Sequence, residues 1–171
     1  HELGIPTNCT MLFGTIETIE DRMTHFDMLR TQQDSSGGFQ CFVPYPFLED
    51  NTRLPEAKLA SGEEVIRVIA ISRIMLDNIP HIKAYRMNIG DHLASIAINS
   101  GADDIDGTVG HEEIMHAAGS TTNVDYDRDK LARLIESAGQ EPVKRNSTYS
   151  RLQPISSKQI TQSKTLPIIG Q

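Results

Sequence analysis

The chain has 171 residues, enough for one domain with a buried core, and its 16 Lys and Arg against 23 Asp and Glu give a net charge of −7. The basic residues form no run or stripe, so nucleic acid is not an expected partner. Charged residues interrupt each apolar stretch well before the roughly 20 residues that cross a bilayer. We therefore expect small-molecule partners, no nucleic acid and no membrane.

The two cysteines and the first residues indicate the setting of the chain. Cys9 and Cys41 both fall in predicted strands and form no metal-spaced cluster, so we expect buried, reduced packing residues and a cytoplasmic location. His1–Gly4 resembles the last turn of a helix and its C-terminal glycine, followed at once by a strand. This start predicts a fragment whose N-terminal part is missing.

Four predicted strands alternate with helical segments along the chain. The strands are Pro6–Phe13, Phe39–Tyr45, Ile82–Met87 and Asp104–Val109. The helices begin at the candidate capping boxes Thr18/Asp21 and Ser61/Glu64, after the turn 88–90, at the helical turn 111–118, and at about Asp127. A long loop at 46–60 separates the second strand from its helix, and long loops are often functional. From Ser150 onward the composition is rich in Ser, Gln and Lys, so we predict a domain over 1–149 and a flexible or extended tail over 150–171.

A strand–helix order repeated four times predicts an α/β fold with parallel strands joined by right-handed crossovers. Four such β-α units are half of an eight-unit TIM-like barrel. Four units also suffice for an open doubly wound parallel sheet, which is the alternative fold.

Alternation along the strands predicts which polar residues face the lumen of a barrel, because the helix-facing side must be apolar. Asp104, Asp106 and Thr108 share one side of the fourth strand, and the last two lie nearest the carboxyl end, where barrel sites form. The same argument places Asn8 and Thr10 inside on the first strand, and Gln40 and Phe42 inside on the second. The third strand is ambiguous, since Lys83 and Tyr85 oppose Ala84 and Arg86 without a clear apolar side.

The segment after the fourth strand is rich in His and Glu but does not match a metal motif. His111 and His116 are five apart, whereas the zinc-protease pattern needs histidines four apart on one helical face. The ordinary interpretation is acidic residues at a helix N-terminus beside a surface histidine, and we predict no metal site. The glycine-containing turns 88–90 and 106–110 could hold a phosphate, which keeps a phosphate-binding barrel enzyme open. A non-catalytic α/β interaction module is a further alternative.

Six strings along the chain together resemble the C-terminal half of the aminofutalosine synthase family. They are Thr10–Thr18, Gly37–Pro44, Asp50–Thr52, Ser72–Asn78, His81–Tyr85 and Gly101–Thr108. The resemblance covers about residues 1 to 149. Its nearest rivals are the related cyclase of the same futalosine route to menaquinone and the enzyme that makes the deazaflavin cofactor core. Gly101–Thr108 and His81–Tyr85 favour the synthase.

The resemblance implies a radical S-adenosylmethionine (SAM) barrel. A 4Fe–4S cluster bound by a three-cysteine loop cleaves SAM, and the 5′-deoxyadenosyl group is joined to 3-[(1-carboxyvinyl)oxy]benzoate to give aminofutalosine. The cluster loop lies in the half that is missing here, so the chain alone should neither bind the cluster nor turn over. An open sheet edge left by that half makes self-association plausible.

The resemblance also implies site residues, although no single catalytic role can be assigned. The residues expected near the SAM cofactor are Thr10, Glu17, Gln40 and Pro44. The residues expected near the benzoate substrate are Tyr85, Asp106 and Thr108.

Overall fold

The computed structural model describes residues 1–155, which form one parallel sheet with helices and a C-terminal hairpin. The strands are β1 (Thr7–Phe13), β2 (Phe39–Pro46), β3 (His81–Ala84), β4 (Asp104–Ile105), β5 (Val143–Arg145) and β6 (Leu152–Pro154). The helices are α1 (Ile19–Ser36), α2 (Gly62–Met75), α3 (Arg86–Ile98), α4 (Ile114–Ala117) and α5 (Arg128–Ser137). The predicted alternation of strands and helices is confirmed.

The strand order decides between the two predicted folds. The main sheet has the order β1-β2-β3-β4, and each neighbouring pair is parallel. In a doubly wound sheet the strand order reverses at a switch point, and helices then cover both faces. Here the order never reverses, so the doubly wound alternative is wrong, and the sheet is consistent with one half of a TIM-like barrel.

The core lies between the sheet and the helices. Cys9, Met11 and Phe13 alternate along β1 as buried residues, and the residues between them are exposed. Phe42 contacts Phe26 of α1 with ring centroids 5.7 Å apart, and both side chains are buried. The prediction that Phe42 faces the lumen is therefore wrong.

An irregularity in the pairing of β1 with β2 explains the position of Phe42. Thr7 pairs with Phe39 but Asn8 pairs with Cys41, which leaves Gln40 as an extra residue in β2. An extra residue shifts the two-residue alternation of side chains by one position. Beyond this bulge, Phe42 and Pro44 share the core side with Cys9 and Met11.

The helix starts follow their capping residues. Thr18 Oγ1 accepts a hydrogen bond from the Asp21 N–H at 3.1 Å, and the Asp21 carboxylate accepts one from the Thr18 N–H at 2.8 Å. Ser61 Oγ accepts from the Glu64 N–H at 3.2 Å. The Glu64 carboxylate instead contacts Arg22 Nη1 at 2.6 Å, which ties α2 to α1.

β3 and β4 end earlier than the predicted strands Ile82–Met87 and Asp104–Val109. β3 ends at Ala84, because the carbonyl of Tyr85 accepts from the N–H groups of Asn88 and Ile89 and so begins a helical turn. β4 ends at Ile105, and Thr108 lies on an exposed loop beyond it. The strand that should align Asp104, Asp106 and Thr108 on one side therefore does not reach Thr108.

The hairpin of β5 and β6 continues the ordered chain across residue 149, where the sequence predicted the domain to end. The predicted tail beyond residue 155 lies outside the described residues. Within residues 1–155, no helix is both long and apolar enough to cross a membrane.

Candidate functional site

The face of the sheet opposite the helices carries the polar side chains, and we call it the open face. The strand register sorts its residues into levels that rise toward the carboxyl ends of the strands. The lower level contains Cys41 and His81, the middle level Lys83 and Asp104, and the upper level Tyr45 and Tyr85. Lys83 and Tyr85 therefore face the lumen side, while Ile82 and Ala84 are fully buried on the helix side. This answers which side of the third strand faces the lumen, a point that the sequence left ambiguous.

The upper level is an aromatic surface. The rings of Tyr45 and Tyr85 lie 5.3 Å apart in an edge-on arrangement, and the Tyr85 hydroxyl donates to Glu112 Oε2 at 3.1 Å. Burial and the neighbouring Glu112 carboxylate raise the pKa of Tyr85, and burial also raises the pKa of Tyr45. Both phenols therefore stay protonated at neutral pH, and the Tyr85 hydroxyl uses its one hydrogen on Glu112 while the two rings present an apolar surface.

Asp106 is 4% exposed and closes the upper level on the β4 side. Its Oδ1 accepts from the Arg86 backbone N–H, and its Oδ2 lies 3.5 Å from Arg86 Nε. Oδ2 and Nε are both buried and have no hydrogen-bond partner among the described residues. Burial raises the pKa of Asp106, while the Arg86 charge works against that rise. Asp106 thus holds the start of α3, and its Oδ2 has the ion pair with Arg86 but no hydrogen bond within residues 1–155.

Asp104 in the middle level lies at the centre of an ion network. Arg145 contacts its two carboxylate oxygens at 2.6 and 2.8 Å, and the Tyr149 hydroxyl donates to Oδ2 at 2.7 Å. Lys83 Nζ lies 3.1 Å from the same Oδ2. Although burial alone would raise the pKa of Asp104, the Arg145 hydrogen bonds and the Lys83 charge lower it. The carboxylate is therefore ionised at neutral pH.

The hairpin turn forms the floor of the open face. Tyr149 stacks on the His81 ring with centroids 4.0 Å apart, and Arg145 lies over the Tyr149 ring at 4.4 Å. The Ser147 carbonyl accepts from Gln40 Nε2 at 3.1 Å. Tyr149 has the left-handed backbone φ of 54°, which is uncommon for a bulky residue. Arg145 and Tyr149 were not predicted, because no local pattern links them to the strands, and Glu112 was predicted only as an acidic residue at a helix N-terminus.

Of the predicted cofactor residues, Thr10 and Gln40 lie on the open face. Thr10 is exposed, and its carbonyl at the free edge of β1 lies 2.9 Å from His25 Nε2. Gln40 Nε2 also donates to Asn8 at 3.2 Å, while Gln40 Oε1 is buried without a partner among the described residues. The side chain of Pro44 lies on the core side, so only its backbone faces away from the helices.

Glu17 organises the turn after β1. Its carboxylate accepts from the N–H groups of Gly14 at 2.6 Å and Thr15 at 2.8 Å, and it pairs with Arg22 at 2.7 Å. Partial burial would raise the pKa of Glu17, but the Thr15 hydroxyl and the two backbone donors lower it to about 2. Glu17 therefore fixes the shape of the turn that follows β1.

Of the predicted substrate residues, the structure brings Tyr85 and Asp106 to the upper level of the open face. Thr108 lines a groove of about 840 Å³ beside β4, between that strand, α5 and the hairpin, and Asp104 and Asp106 also line this groove.

Within residues 1–155, no three His, Cys, Asp or Glu side chains come close enough to hold a metal ion. His111 contacts Glu113 at 2.9 Å and His116 contacts the Thr122 carbonyl at 2.8 Å. Cys9 and Cys41 are free, buried and on opposite sides of the sheet. An iron–sulfur cluster requires several thiolates around one centre, so the described residues do not fit this group.

Comparison with known proteins identifies the family. Residues 36–158 match the family model of the CofH/MqnC C-terminal region. An aminodeoxyfutalosine synthase from Thermus thermophilus is 44% identical, over 87% of this chain and 41% of its own length. A second from Streptomyces coelicolor is 38% identical, over 89% of this chain and 42% of its own length.

A relative with another activity is nearly as similar. A 5-amino-6-(D-ribitylamino)uracil–L-tyrosine 4-hydroxyphenyl transferase from Methanothermobacter thermautotrophicus is 36% identical, over 91% of this chain and 44% of its own length. The chain thus spans less than half the length of each of these curated relatives. The match to the family model and the identity to these relatives agree over most of the chain, which therefore belongs to the CofH/MqnC C-terminal region family.

Proposed function

We propose that this chain is the C-terminal part of a radical SAM enzyme that joins the 5′-deoxyadenosyl group of SAM to 3-[(1-carboxyvinyl)oxy]benzoate, giving aminofutalosine for menaquinone biosynthesis. The observation that carries the proposal is the 44% identity to the Thermus synthase, against 36% for the transferase relative. The two free cysteines are in keeping with the cytoplasmic location expected from the sequence.

The role of this chain is to form half of the substrate cavity. The upper level supplies the Tyr45 and Tyr85 rings for an aromatic ligand, and Asp106 Oδ2, which pairs with Arg86 but accepts no hydrogen bond from the described residues, supplies an acceptor. Thr10 would face the adenosyl group from the open face, and Glu17 and the Pro44 backbone would act by shaping the strand ends. Gln40 would act from the floor, where it is bonded to Ser147 at the amino end of β2. Since the described residues do not fit the cluster, its ligands belong to another part of the enzyme.

An anaerobic assay of the full-length protein that carries this chain tests the proposal. The protein is reconstituted with iron and sulfide and mixed with SAM and one of three substrates, and the products are identified by mass spectrometry. The substrates are 3-[(1-carboxyvinyl)oxy]benzoate, dehypoxanthine futalosine, and L-tyrosine with 5-amino-6-(D-ribitylamino)uracil. We expect product from the first only, and none from the 171-residue chain alone. Product from either of the other two would favour the cyclase or the deazaflavin-core enzyme, and product from none would reject this class of activity.

We further propose that the isolated chain self-associates through its sheet edges. β1 and β4 have no outer strand partner among residues 1–155, and the groove beside β4 leaves an apolar surface open. Unpaired strand edges recruit other strands. Sedimentation velocity at increasing concentration should show a dimer, and a monomer over the whole range up to the solubility limit would contradict this expectation.

A further inference from the structure

Lys83 lies at the centre of the open face, and its ammonium group makes an ion pair but no directional hydrogen bond with the described residues. It lies in β3, its side chain is 14% exposed, and its nearest acceptor is Asp104 Oδ2 at 3.1 Å. This contact is an ion pair without the directional geometry of a hydrogen bond, and no other acceptor among the described residues bonds to Lys83. The ammonium group therefore keeps donors that a ligand could use.

Asp104 does not need Lys83 as its partner. Arg145 already contacts both carboxylate oxygens, and Tyr149 donates to one of them, so three directional hydrogen bonds hold the group. Lys83, Arg145 and Asp104 together carry a net charge of +1. Asp104 neutralises one of these two mostly buried cations, and a second anion beside Lys83 would balance the other.

The surroundings of Lys83 indicate which anion fits. Tyr85 is two residues further along the same face of β3, a separation of about 7 Å. Its ring and that of Tyr45 form the apolar surface of the upper level. A cation beside an aromatic surface, at this spacing, matches a carboxylate attached to an aromatic ring.

We propose that Lys83 binds the ring carboxylate of an aromatic acid whose ring lies against Tyr45 and Tyr85. The inference rests on the proposed function, since it assigns the group that holds the benzoate end of that substrate. Arg145 and Tyr149 act as positioning residues, because they hold Asp104 and leave the Lys83 ammonium to the ligand.

The test compares an acid with its neutral amide in the full-length protein. Binding of 3-hydroxybenzoate and 3-hydroxybenzamide is measured by calorimetry for wild type, Lys83→Met, Lys83→Arg and the exposed control Lys144→Met. We expect wild type to prefer the acid, and Lys83→Met to lose roughly 10- to 100-fold in acid affinity with little change for the amide, as for a charged hydrogen bond. Lys83→Arg should retain most of the preference, and Lys144→Met should match wild type.

Steady-state kinetics then show which of the two substrates Lys83 binds. Lys83→Met should raise KM for 3-[(1-carboxyvinyl)oxy]benzoate by at least tenfold and leave KM for SAM unchanged. Equal binding of acid and amide by wild type would overturn the proposal even if Lys83→Met fails to fold. A KM increase for SAM alone would overturn it too, because the carboxylate bound would be that of the cofactor. A wild type that prefers the acid through Lys83 but forms no product would reject the proposed function and not this site.

Discussion

Replacing Asp104 by alanine is expected to lower the free energy of unfolding of the chain by about 3–5 kcal/mol, the usual result of removing one partner from a buried ion pair. Asp104 accepts two hydrogen bonds from Arg145 and one from Tyr149, and Lys83 lies beside it. Without the carboxylate, two mostly buried cations face each other without a counter-charge. Urea unfolding of the full chain, followed by circular dichroism, measures the difference.

Two variants show whether the network causes this loss. Tyr149→Phe removes only the hydroxyl that donates to Asp104, so we expect a loss of about 1.5–3 kcal/mol. Glu63→Ala removes an exposed partner of Arg67 in α2 and should cost less than about 0.5 kcal/mol. An Asp104→Ala loss no larger than that of Glu63→Ala would show that the buried network does not form.

Glu17 is expected to make stability depend on pH in the acid range. Its pKa falls from 4.5 to about 2 in the folded chain, which corresponds to about 3 kcal/mol. Since the folded pKa is the lower one, this contribution is fully present above the unfolded value of 4.5 and is lost as the pH falls toward 2. Glu17→Gln should therefore be less stable than wild type at pH 7 by up to this amount, and the difference should shrink below pH 4.5.

The measurement is the difference in unfolding free energy between wild type and variant, taken from urea titrations between pH 2 and pH 7. Other carboxylates titrate in both proteins and cancel in this difference. Glu20→Gln, at an exposed position in the first turn of the same helix, serves as the control and should give a difference that is small at each pH. A Glu17→Gln difference that stays constant from pH 7 to pH 2 would contradict the assigned hydrogen bonds.

Local signals predicted the parts of the fold that local physics controls. Thr18 and Asp21 are a capping box in the sequence and in the structure, because both partners belong to one helical turn. The alternation of β1 predicted that Asn8 and Thr10 lie on the lumen side, and both are exposed on the open face, opposite the buried Cys9 and Met11. The order of strands and helices was enough to predict parallel β-α units, because short crossovers leave few other ways to connect them.

The open face was predicted only in part, because its arrangement depends on contacts distant in sequence. A single extra residue at Gln40 moved Phe42 to the core, and no signal in β2 marks that bulge. The helical turn that begins at Tyr85 ended β3 earlier than its β-rich sequence suggests. Arg145 and Tyr149 contact Asp104 from a hairpin, and nothing in the hairpin sequence predicts that it packs against the open face.

The hairpin floor also has a consequence for the order in which the molecule assembles. The hydrogen bond between Gln40 and Ser147 joins residues 107 positions apart, and Tyr149 meets Asp104 across 45. Closing loops between residues this far apart costs entropy, and such non-local contacts slow folding. Residues 143–154 follow the four strands of the main sheet along the chain, so they are synthesised after Lys83 and Asp104. The charged centre that they cover is therefore desolvated only after this later segment has been made.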